Sequence, residues 1–246
     1  MVYGARSGTG SMDVALAGVL FDKDGTLIDF QRTWGPATYA VMHAMSAGDM
    51  EQLRRQADAL HLSLEDRRFR QSSPFIAGST STYGEIWARA LGRDDIAAVT
   101  ALVDDLTKHE SLKSMTPIGE PKAVLRLLQD AGLRLGVGTN DSEASARRQV
   151  AALGLEALIE FVAGYDSGHG SKPKPGMVLA FARHLEVAPH RVAMVGDTMH
   201  DLDAARAAGA MAVAVLSGPA SPDEISRHAD YVVEDISHLP ELFAKL

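Results

Sequence analysis

Short apolar runs that end in polar residues recur along this chain, and the recurrence constrains its fold more than any other feature. Four such runs occupy residues 14–21, 133–137, 191–195 and 210–216. A continuous apolar run this short predicts a strand that is buried on both faces, as in a parallel sheet. Two weaker strand candidates lie at residues 161–164 and 231–233.

Helical patterns fill the intervals between these runs. We predict helices over residues 120–131, 142–153, 175–185 and 202–208. Gly132 and Gly154 follow the first two, and glycine is the favoured residue just past the end of a helix. Strands that alternate with helices predict an α/β fold with a doubly wound parallel-sheet core of the Rossmann-like type.

One long segment breaks this alternation. Residues 30–112 show helical spacing with almost no strand signal, and the stretch 71–83 is rich in Ser, Thr, Gly and Pro, which predicts a loop. Helices are predicted over residues 34–45, 50–60, 83–91 and 94–110. We therefore predict a flexible leader over residues 1–13, an α/β core formed by residues 14–29 and 113–246, and an inserted all-helical domain over residues 30–112.

The composition excludes several classes of protein. The chain has 246 residues, a net charge of −8 and no cysteine, so disulfides, thiolate metal sites and cysteine nucleophiles are ruled out. An acidic chain without a basic tract is a poor ligand for nucleic acid or anionic membranes. The Gly- and Ser-rich first 13 residues do not resemble a signal peptide. We expect a cytoplasmic monomer or homodimer that binds neither nucleic acid nor membrane.

Polar clusters follow three of the predicted strands. They comprise Asp22 and Asp24, then Thr139, Asn140 and Asp141, and finally Asp197 and Asp201. Ligand sites in open α/β sheets lie beyond the carboxyl ends of the strands, so we expect the clusters to meet at one edge, within reach of Lys172. Crowded carboxylates need a cation, and an oxygen-only ligand set favours Mg²⁺. A magnesium ion beside a lysine and a hydroxyl suits a phosphoryl group.

Four motifs, in order along the chain, resemble those of the haloacid dehalogenase superfamily, in particular its phosphoglycolate phosphatases. They read FDKDGTLID from Phe21, GVGTND from Gly136, SKPKPG from Ser171 and VGDTMHDLDAARAAG from Val195. The resemblance covers about residues 14–218, and the ordered set is far more specific than any one motif. It implies that the inserted domain is the helical cap of that superfamily, which closes over the site and selects the substrate.

The resemblance also implies the roles of the acidic residues. Asp22 is expected to be the nucleophile and a metal ligand. Asp24 is expected to be the general acid and base, with its backbone carbonyl oxygen on the metal. Asp197 is expected to be a metal ligand, and Asp201 either a ligand through water or a partner of the ligands. The implied cofactor is Mg²⁺.

The remaining motif residues are expected to bind the phosphoryl group. Thr139 and Asn140 hold its oxygens, although Asn140 could instead cap the helix that follows. Lys172 stabilises the nucleophile and the developing charge, with Lys174 as the second choice for this role.

These roles imply a Mg²⁺-dependent phosphatase that hydrolyses a small phosphorylated metabolite, phosphoglycolate-like or a sugar phosphate, through an aspartyl-phosphate. Two alternatives stay open: a sugar-phosphate mutase of the same superfamily and a non-catalytic phosphoacceptor or binding module. Dehalogenation is disfavoured because dehalogenases lack the acidic residue found here as Asp24. A phosphonatase needs a lysine in its cap, and no lysine lies between Lys23 and Lys108.

Overall fold

The computed structural model describes residues 3–4, 15–76 and 80–246, with side chains from residue 15 onward except those of residues 80–82. The described residues form two compact units, one of Phe30–Thr116 and one of the segments that precede and follow it. The unit that begins at Phe30 thus ends at Thr116, four residues beyond the end expected for the inserted domain at residue 112. The leader expected over residues 1–13 lies outside the described residues, apart from the backbone of Tyr3 and Gly4.

Seven strands are present in the described part of the chain, and they form one sheet. They are β1 (Tyr3–Gly4), β2 (Gly18–Phe21), β3 (Arg134–Gly138), β4 (Ile159–Ala163), β5 (Val192–Gly196), β6 (Met211–Val215) and β7 (Tyr231–Val233). Their order across the sheet is β1-β7-β6-β5-β2-β3-β4. Neighbouring strands from β7 through β4 pair in parallel, and β1 pairs with β7 in the antiparallel sense. The six-stranded parallel sheet confirms the predicted α/β class.

Ten α-helices lie in the described residues. They are α1 (Phe30–Ser46), α2 (Met50–Leu60), α3 (Thr80–Ala90), α4 (Ile96–Ser114), α5 (Pro121–Asp130), α6 (Glu143–Ala152), α7 (Gly176–His184), α8 (Met199–Ala208), α9 (Pro222–Ile225) and α10 (Leu239–Phe243). Within that same part of the chain, no helix has the length and apolar character needed to cross a membrane.

The strands are buried because helices cover both faces of the sheet. In β2, Val19 and Phe21 pack into a core with residues of α5, α6 and α10, whereas Leu20 packs into a second core with residues of α7 and α8. In β5, Val195 joins the first core and Met194 the second. Alternate side chains of a strand point to opposite faces, so a strand between two helical layers needs apolar residues at every position. The predicted doubly wound arrangement is therefore confirmed.

The register of the central strands determines where the functional loops emerge. Phe21, the last residue of β2, pairs with Val137 of β3 and Val195 of β5. The backbone N–H of Asp22 then donates to the carbonyl oxygen of Val195 at 2.8 Å. Because three adjacent parallel strands end at nearly the same level, the residues that follow them lie at one edge of the sheet.

The unit formed by Phe30–Thr116 is helical, as the sequence predicts. Its core contains the fully buried Trp87, whose indole N–H donates to the Gln56 side-chain oxygen at 2.7 Å. The Gln56 amide group in turn donates to the Ser46 hydroxyl oxygen at 2.8 Å. These hydrogen bonds satisfy polar groups that would otherwise be costly to bury among the apolar residues of α1, α2 and α3.

Four predicted helix boundaries are wrong by three or four residues. Helix α1 begins at Phe30 rather than at residue 34, α4 ends at Ser114 rather than at residue 110, and α3 and α8 each begin three residues early. A loop is predicted over residues 71–83. Residues 71–76 do lie mostly in turns, but α3 already begins at Thr80. Ser and Thr favour loops, yet they also favour helix starts, where their oxygens accept backbone N–H groups. Helix α8 begins at Met199 rather than at Leu202, because Thr198 and Asp201 form a capping box that starts the helix earlier.

Candidate active site

Three buried aspartates lie together at the carboxyl ends of the strands. Asp22 directly follows β2, Asp197 directly follows β5, and Asp201 lies in the first turn of α8. One carboxylate oxygen from each lies within 4.8 Å of those from the other two. This spacing brings the carboxylates within reach of one shared cation, as the sequence predicts for Asp22 and Asp197.

A buried lysine lies between two of these aspartates. The Lys172 ammonium group donates to Asp22 Oδ1 at 2.5 Å and to Asp201 Oδ1 at 2.6 Å. Its side chain comes from the loop that precedes α7, whereas Lys174, two residues later, is exposed. The structure thus brings Lys172 and not Lys174 into the acidic cluster.

Asp197 has one carboxylate oxygen that fits a metal ion. Its Oδ1 accepts a hydrogen bond from the Thr26 hydroxyl at 3.3 Å. Its Oδ2 is buried and has no hydrogen-bond partner among the described residues. A buried charged oxygen without a donor is costly, and coordination of a cation is one of the ways in which proteins offset that cost.

Two glycines make room around this carboxylate. A Cβ atom built on Gly25, whose φ is +81°, would lie 2.2 Å from Asp197 Oδ2, and one built on Gly218 would lie 1.8 Å from the same atom. The Ser217 hydroxyl also donates to the Gly25 carbonyl oxygen at 2.7 Å, which joins the two glycine-containing loops. The close approach of backbone to carboxylate therefore requires residues without a side chain at both positions.

The Asp201 carboxylate is occupied by donors from the protein itself. While Oδ1 accepts from Lys172, Oδ2 accepts from the Thr198 backbone N–H at 3.0 Å and from the Thr198 hydroxyl at 2.7 Å. This carboxylate thus begins α8 and holds the lysine at the same time. Both of its oxygens are already paired, in contrast to Asp197 Oδ2.

The electrostatics of the cluster reflect an excess of carboxylates. Burial raises the pKa of Asp22 to about 7, although the Lys172 ammonium opposes the increase. Burial also raises the pKa of Asp197 well above its ordinary value, and the neighbouring Asp22 and Asp201 add to it. For Lys172, burial lowers the pKa but the two carboxylates more than offset this, so its pKa is raised. A bound cation would relieve the repulsion among the aspartates.

Asp24 lies beside the cluster with a different set of neighbours. Its Oδ2 accepts from the Lys23 ammonium at 2.7 Å, and the same ammonium lies 3.2 Å from Asp141 Oδ2. Asp24 is partly exposed, while Lys23 is fully buried. The second aspartate of the first motif is thus separate from the three carboxylates that approach one another.

The residues expected to bind phosphoryl oxygens follow β3. Thr139 is buried, and its hydroxyl oxygen accepts from the Asp141 backbone N–H at 3.1 Å. Asn140 pairs with the backbone of Lys172, donating from Nδ2 to the carbonyl oxygen at 3.0 Å and accepting at Oδ1 from the N–H at 2.9 Å. Ser142, not Asn140, caps α6. The Asn140 side chain therefore holds the loop that carries Lys172.

Sequence reasoning assigned no role to several residues that shape this site. Gly25 and Gly218 shape the space around Asp197, and Lys23 pairs with Asp24 and Asp141. The glycine in the first motif and the lysine between its two aspartates were visible signals. Gly218 comes just after the apolar run at residues 210–216, which puts it at the same edge of the sheet, but its approach to Asp197 depends on the folded chain.

Comparisons with known proteins agree with this geometry. The family model for haloacid dehalogenase-like hydrolases matches residues 16–209. A phosphoglycolate phosphatase from Xylella fastidiosa strain 9a5c is 32% identical over 221 residues, which are 88% of each chain. A tyrosine-protein kinase, PtkA of Mycobacterium tuberculosis, is 39% identical over 116 residues, which are 47% of this chain and 40% of that protein.

Solved structures show the same fold. A Haemophilus somnus protein described as a predicted phosphoglycolate phosphatase superposes with a TM-score of 0.70 at 18% identity, over 95% of this chain and 99% of the other. The ordered motifs, the sheet and the family match lead to one conclusion. This chain belongs to the haloacid dehalogenase-like hydrolases.

Proposed function

We propose that this protein is a Mg²⁺-dependent phosphatase that hydrolyses a small phosphorylated metabolite, phosphoglycolate-like or a sugar phosphate, through an aspartyl-phosphate on Asp22. The observation that carries the proposal is the contact of one ammonium group, that of Lys172, with two buried aspartates, beside a third, Asp197, whose Oδ2 accepts from no donor in the described part of the chain. Such a site brings together a nucleophile in Asp22, a fixed positive charge in Lys172 and an oxygen of Asp197 that can bind a cation. The phosphoglycolate phosphatase relative supports the choice of reaction.

In the first half of the reaction, Asp22 attacks the phosphorus atom. One carboxylate oxygen of Asp22 forms a bond to phosphorus as the bond from phosphorus to the leaving oxygen breaks. Lys172 orients this carboxylate and offsets the negative charge that develops on the phosphoryl oxygens. Thr139, just after β3, contributes polar contacts to the phosphoryl oxygens. The Asn140 side chain keeps Lys172 in place by its hydrogen bonds to the Lys172 backbone.

In the second half, water attacks the phosphorus of the aspartyl-phosphate. Asp24 donates a proton to the leaving oxygen in the first step and then accepts a proton from the attacking water. The products are an alcohol and inorganic phosphate, and the Asp22 carboxylate is regenerated. The two steps therefore need Asp24 in opposite protonation states.

The residues present fit a hard divalent cation. Asp22 and Asp197 would hold it with carboxylate oxygens and Asp24 with its backbone carbonyl, while Asp201 would act through water or by holding Lys172. When bound, Mg²⁺ supplies positive charge that reduces repulsion between the Asp22 carboxylate and the phosphoryl group. An ion with only oxygen ligands available, and no cysteine in the chain, is expected to be hard rather than soft.

The substrate is expected to be small because the family resemblance makes residues 30–112 a cap. A closing cap excludes water and selects what enters, and it would hinder a polymeric substrate. The phosphonatase alternative would need Lys108 as an amine nucleophile. The Lys108 ammonium instead pairs with the Asp104 carboxylate one helical turn away. The monomeric or dimeric state and the cytoplasmic location stay predictions.

Phosphate release from a panel of phosphorylated metabolites, with and without Mg²⁺, tests the proposal. We expect Mg²⁺-dependent release from at least one small phosphomonoester and from an aryl phosphate. Conversion of a hexose phosphate into its isomer, without net release of phosphate, would favour the mutase alternative. Stable phosphorylation of the protein without turnover would favour the phosphoacceptor alternative.

A further inference from the structure

Lys23 is a buried cation that the mechanism above does not use. It lies between Asp22 and Asp24 in sequence, and its exposed fraction is 0%. Lysine is almost never fully buried unless it is paired, because removal of an ammonium group from water is costly. Packing in the core therefore does not explain a lysine at this position, and the contacts of its ammonium group must do so.

The contacts of Lys23 join two functional loops. Its ammonium group lies 2.7 Å from Asp24 Oδ2 and 3.2 Å from Asp141 Oδ2, and the exposed side-chain fractions of these aspartates are 19% and 11%. Burial lowers the pKa of Lys23, but the charges of Asp24 and Asp141 more than offset it and raise the pKa. The group is thus an ammonium ion that bridges the loop after β2 and the loop after β3.

Asp141 gives this bridge a fixed anchor. Its Oδ1 accepts from the Ser142 backbone N–H at 2.7 Å, and its carbonyl oxygen accepts from the Tyr165 N–H at 3.0 Å. Its own N–H donates to the hydroxyl oxygen of Thr139 at 3.1 Å. Asp141 is therefore held by the start of α6 and the segment after β4, so a lysine paired with it is also held in position.

We propose that Lys23 is a positioning residue that aims the Asp24 carboxylate at the reacting oxygen by fixing its Oδ2 against the Asp141 anchor. The inference rests on the proposed function, since it gives a role to Asp24 as the acid and base. Proton transfer depends steeply on geometry, and a displacement of about 1 Å can cost ~10²-fold in rate. Loss of Lys23 should then impair the steps that need Asp24 more than those that do not.

An aryl phosphate with a good leaving group separates these steps. Nitrophenolate leaves without a proton, so formation of the phosphoenzyme from nitrophenyl phosphate reports on Asp22 and Lys172. Hydrolysis of the phosphoenzyme needs Asp24 as a base. Pre-steady-state release of nitrophenolate gives the rate constant for formation, and decay of acid-quenched phosphoenzyme, followed by intact-protein mass spectrometry, gives that for hydrolysis.

We expect Lys23→Met to slow phosphoenzyme hydrolysis by ~10²-fold, with a much smaller change in its formation, so that phosphoenzyme accumulates. Asp24→Asn should show the same pattern. Lys122→Met, which removes an exposed lysine of α5, should match the native enzyme in both steps. Equal losses in formation and hydrolysis, or no loss in either, would overturn the positioning role.

A second variant removes the concern that Lys23→Met fails to fold. Without the ammonium, Asp24 and Asp141 repel each other, and the double variant Lys23→Met with Asp141→Asn removes this repulsion because only Asp24 of the two keeps its charge. It should also accumulate phosphoenzyme, and a native ratio of the two rate constants in this folded variant would contradict the proposal. If the native enzyme releases no nitrophenolate at all, the proposed function itself fails, a result distinct from either outcome in the variants.

Discussion

Asp22 combines burial, an ion pair and the carboxylate oxygen that we propose attacks phosphorus. Its carboxylate contacts Lys172, yet its pKa is raised to about 7 because burial outweighs the ion pair. The repulsion among Asp22, Asp197 and Asp201 is a cost in the absence of a cation. The burial and crowding that accompany the proposed role of Asp22 as nucleophile therefore make this residue unfavourable for stability.

We predict that Asp22→Asn abolishes turnover without loss of fold. Removal of a nucleophile costs on the order of 10⁴–10⁶-fold in rate. The neutral amide also relieves repulsion in the cluster, so the Tm of the metal-free protein should stay equal or rise. Phosphate release and thermal unfolding check both parts, with Asp203→Asn, a half-exposed position on α8, as the matched control. Native activity in Asp22→Asn would disprove its role.

The two lysines of the third motif provide a paired test. Lys172→Met leaves Asp22 and Asp201 without their shared cation, and loss of one partner from a buried ion pair costs about 3–5 kcal/mol. Lys174→Met alters an exposed side chain and should change the free energy of unfolding by less than about 0.5 kcal/mol. Urea unfolding of both variants measures the difference. Equal stability of the two would mean that the ion pairs of Lys172 contribute little.

At the residue scale, the acidic cluster can be predicted from the sequence, but the ion pairs and hydrogen bonds that hold its residues cannot. Asp22 directly follows one apolar run, and Asp197 follows another after a single glycine, a local signal that needs no knowledge of packing. The bridge from Lys23 to Asp141 joins residues more than 100 positions apart, so its two halves look unrelated in the sequence. The contact of Asn140 with the Lys172 backbone also joins two separate loops and is not visible in the sequence. The alternative of Asn140 as a helix cap is wrong, because Ser142 caps α6, whereas the binding of phosphoryl oxygens by Asn140 stays a prediction.

At the element scale, the ends of strands and the starts of helices build the site together. β2 and β5 end in register, which places Asp22 and Asp197 side by side, and the capping box of α8 fixes Asp201. The loop after β6 adds Gly218, which lies against Asp197. The elements therefore contribute through their termini, where backbone groups and polar side chains are free to define a site.

Gly218→Ala tests the importance of this close approach. A Cβ atom would lie 1.8 Å from Asp197 Oδ2, so the loop or the carboxylate must move, and Mg²⁺ affinity should fall by ~10–100-fold, as when the support of a ligand is lost. The Mg²⁺ dependence of turnover and of Tm measures the change.

Gly132→Ala is the control for a general effect of replacing a glycine. A Cβ atom there meets no atom of the described residues within 4 Å, although the φ of +89° strains an alanine. It should lower Tm without altering Mg²⁺ affinity. If both variants leave Mg²⁺ affinity unchanged, the contact between Gly218 and Asp197 has no part in metal binding.

Each of the eight predicted helices is present, and the differences from prediction lie at the ends of the helices. Helix α2 spans Met50–Leu60, as predicted, since its buried Leu53, Ala57 and Leu60 recur at helical spacing. The starts of α3 and α8 were wrong, because Ser, Thr and Asp serve both loops and helix caps. Their choice depends on hydrogen bonds that form only in the folded chain.

At the scale of the whole molecule, metal binding should couple to pH and stability. The pKa values of Asp22 and Asp197 are raised in the folded, metal-free protein above the ordinary value of 3.8. The folded state therefore binds more protons than the unfolded state between about pH 4 and 7, and stability falls as pH rises through this window. Mg²⁺ competes with these protons, so it binds more tightly at the upper end.

We predict that the increase in Tm produced by Mg²⁺ grows between pH 5 and pH 8. A concentration of 100 times Kd corresponds to about 2.7 kcal/mol of stabilisation. Thermal unfolding at several pH values, with and without Mg²⁺, measures this, and Asp197→Asn should lose most of the increase. A Tm increase that is the same at pH 5 and pH 8, and is retained in Asp197→Asn, would place the metal elsewhere.

The identity of the phosphorylated residue tests the central claim most directly. Borohydride reduces an aspartyl-phosphate to homoserine, so the enzyme is treated with borohydride during turnover of a phosphomonoester and its peptides are sequenced by mass spectrometry. We predict homoserine at position 22, formed only with substrate and Mg²⁺ present and absent from Asp22→Asn. Homoserine at another aspartate, or turnover in Asp22→Asn at the native rate, would contradict it.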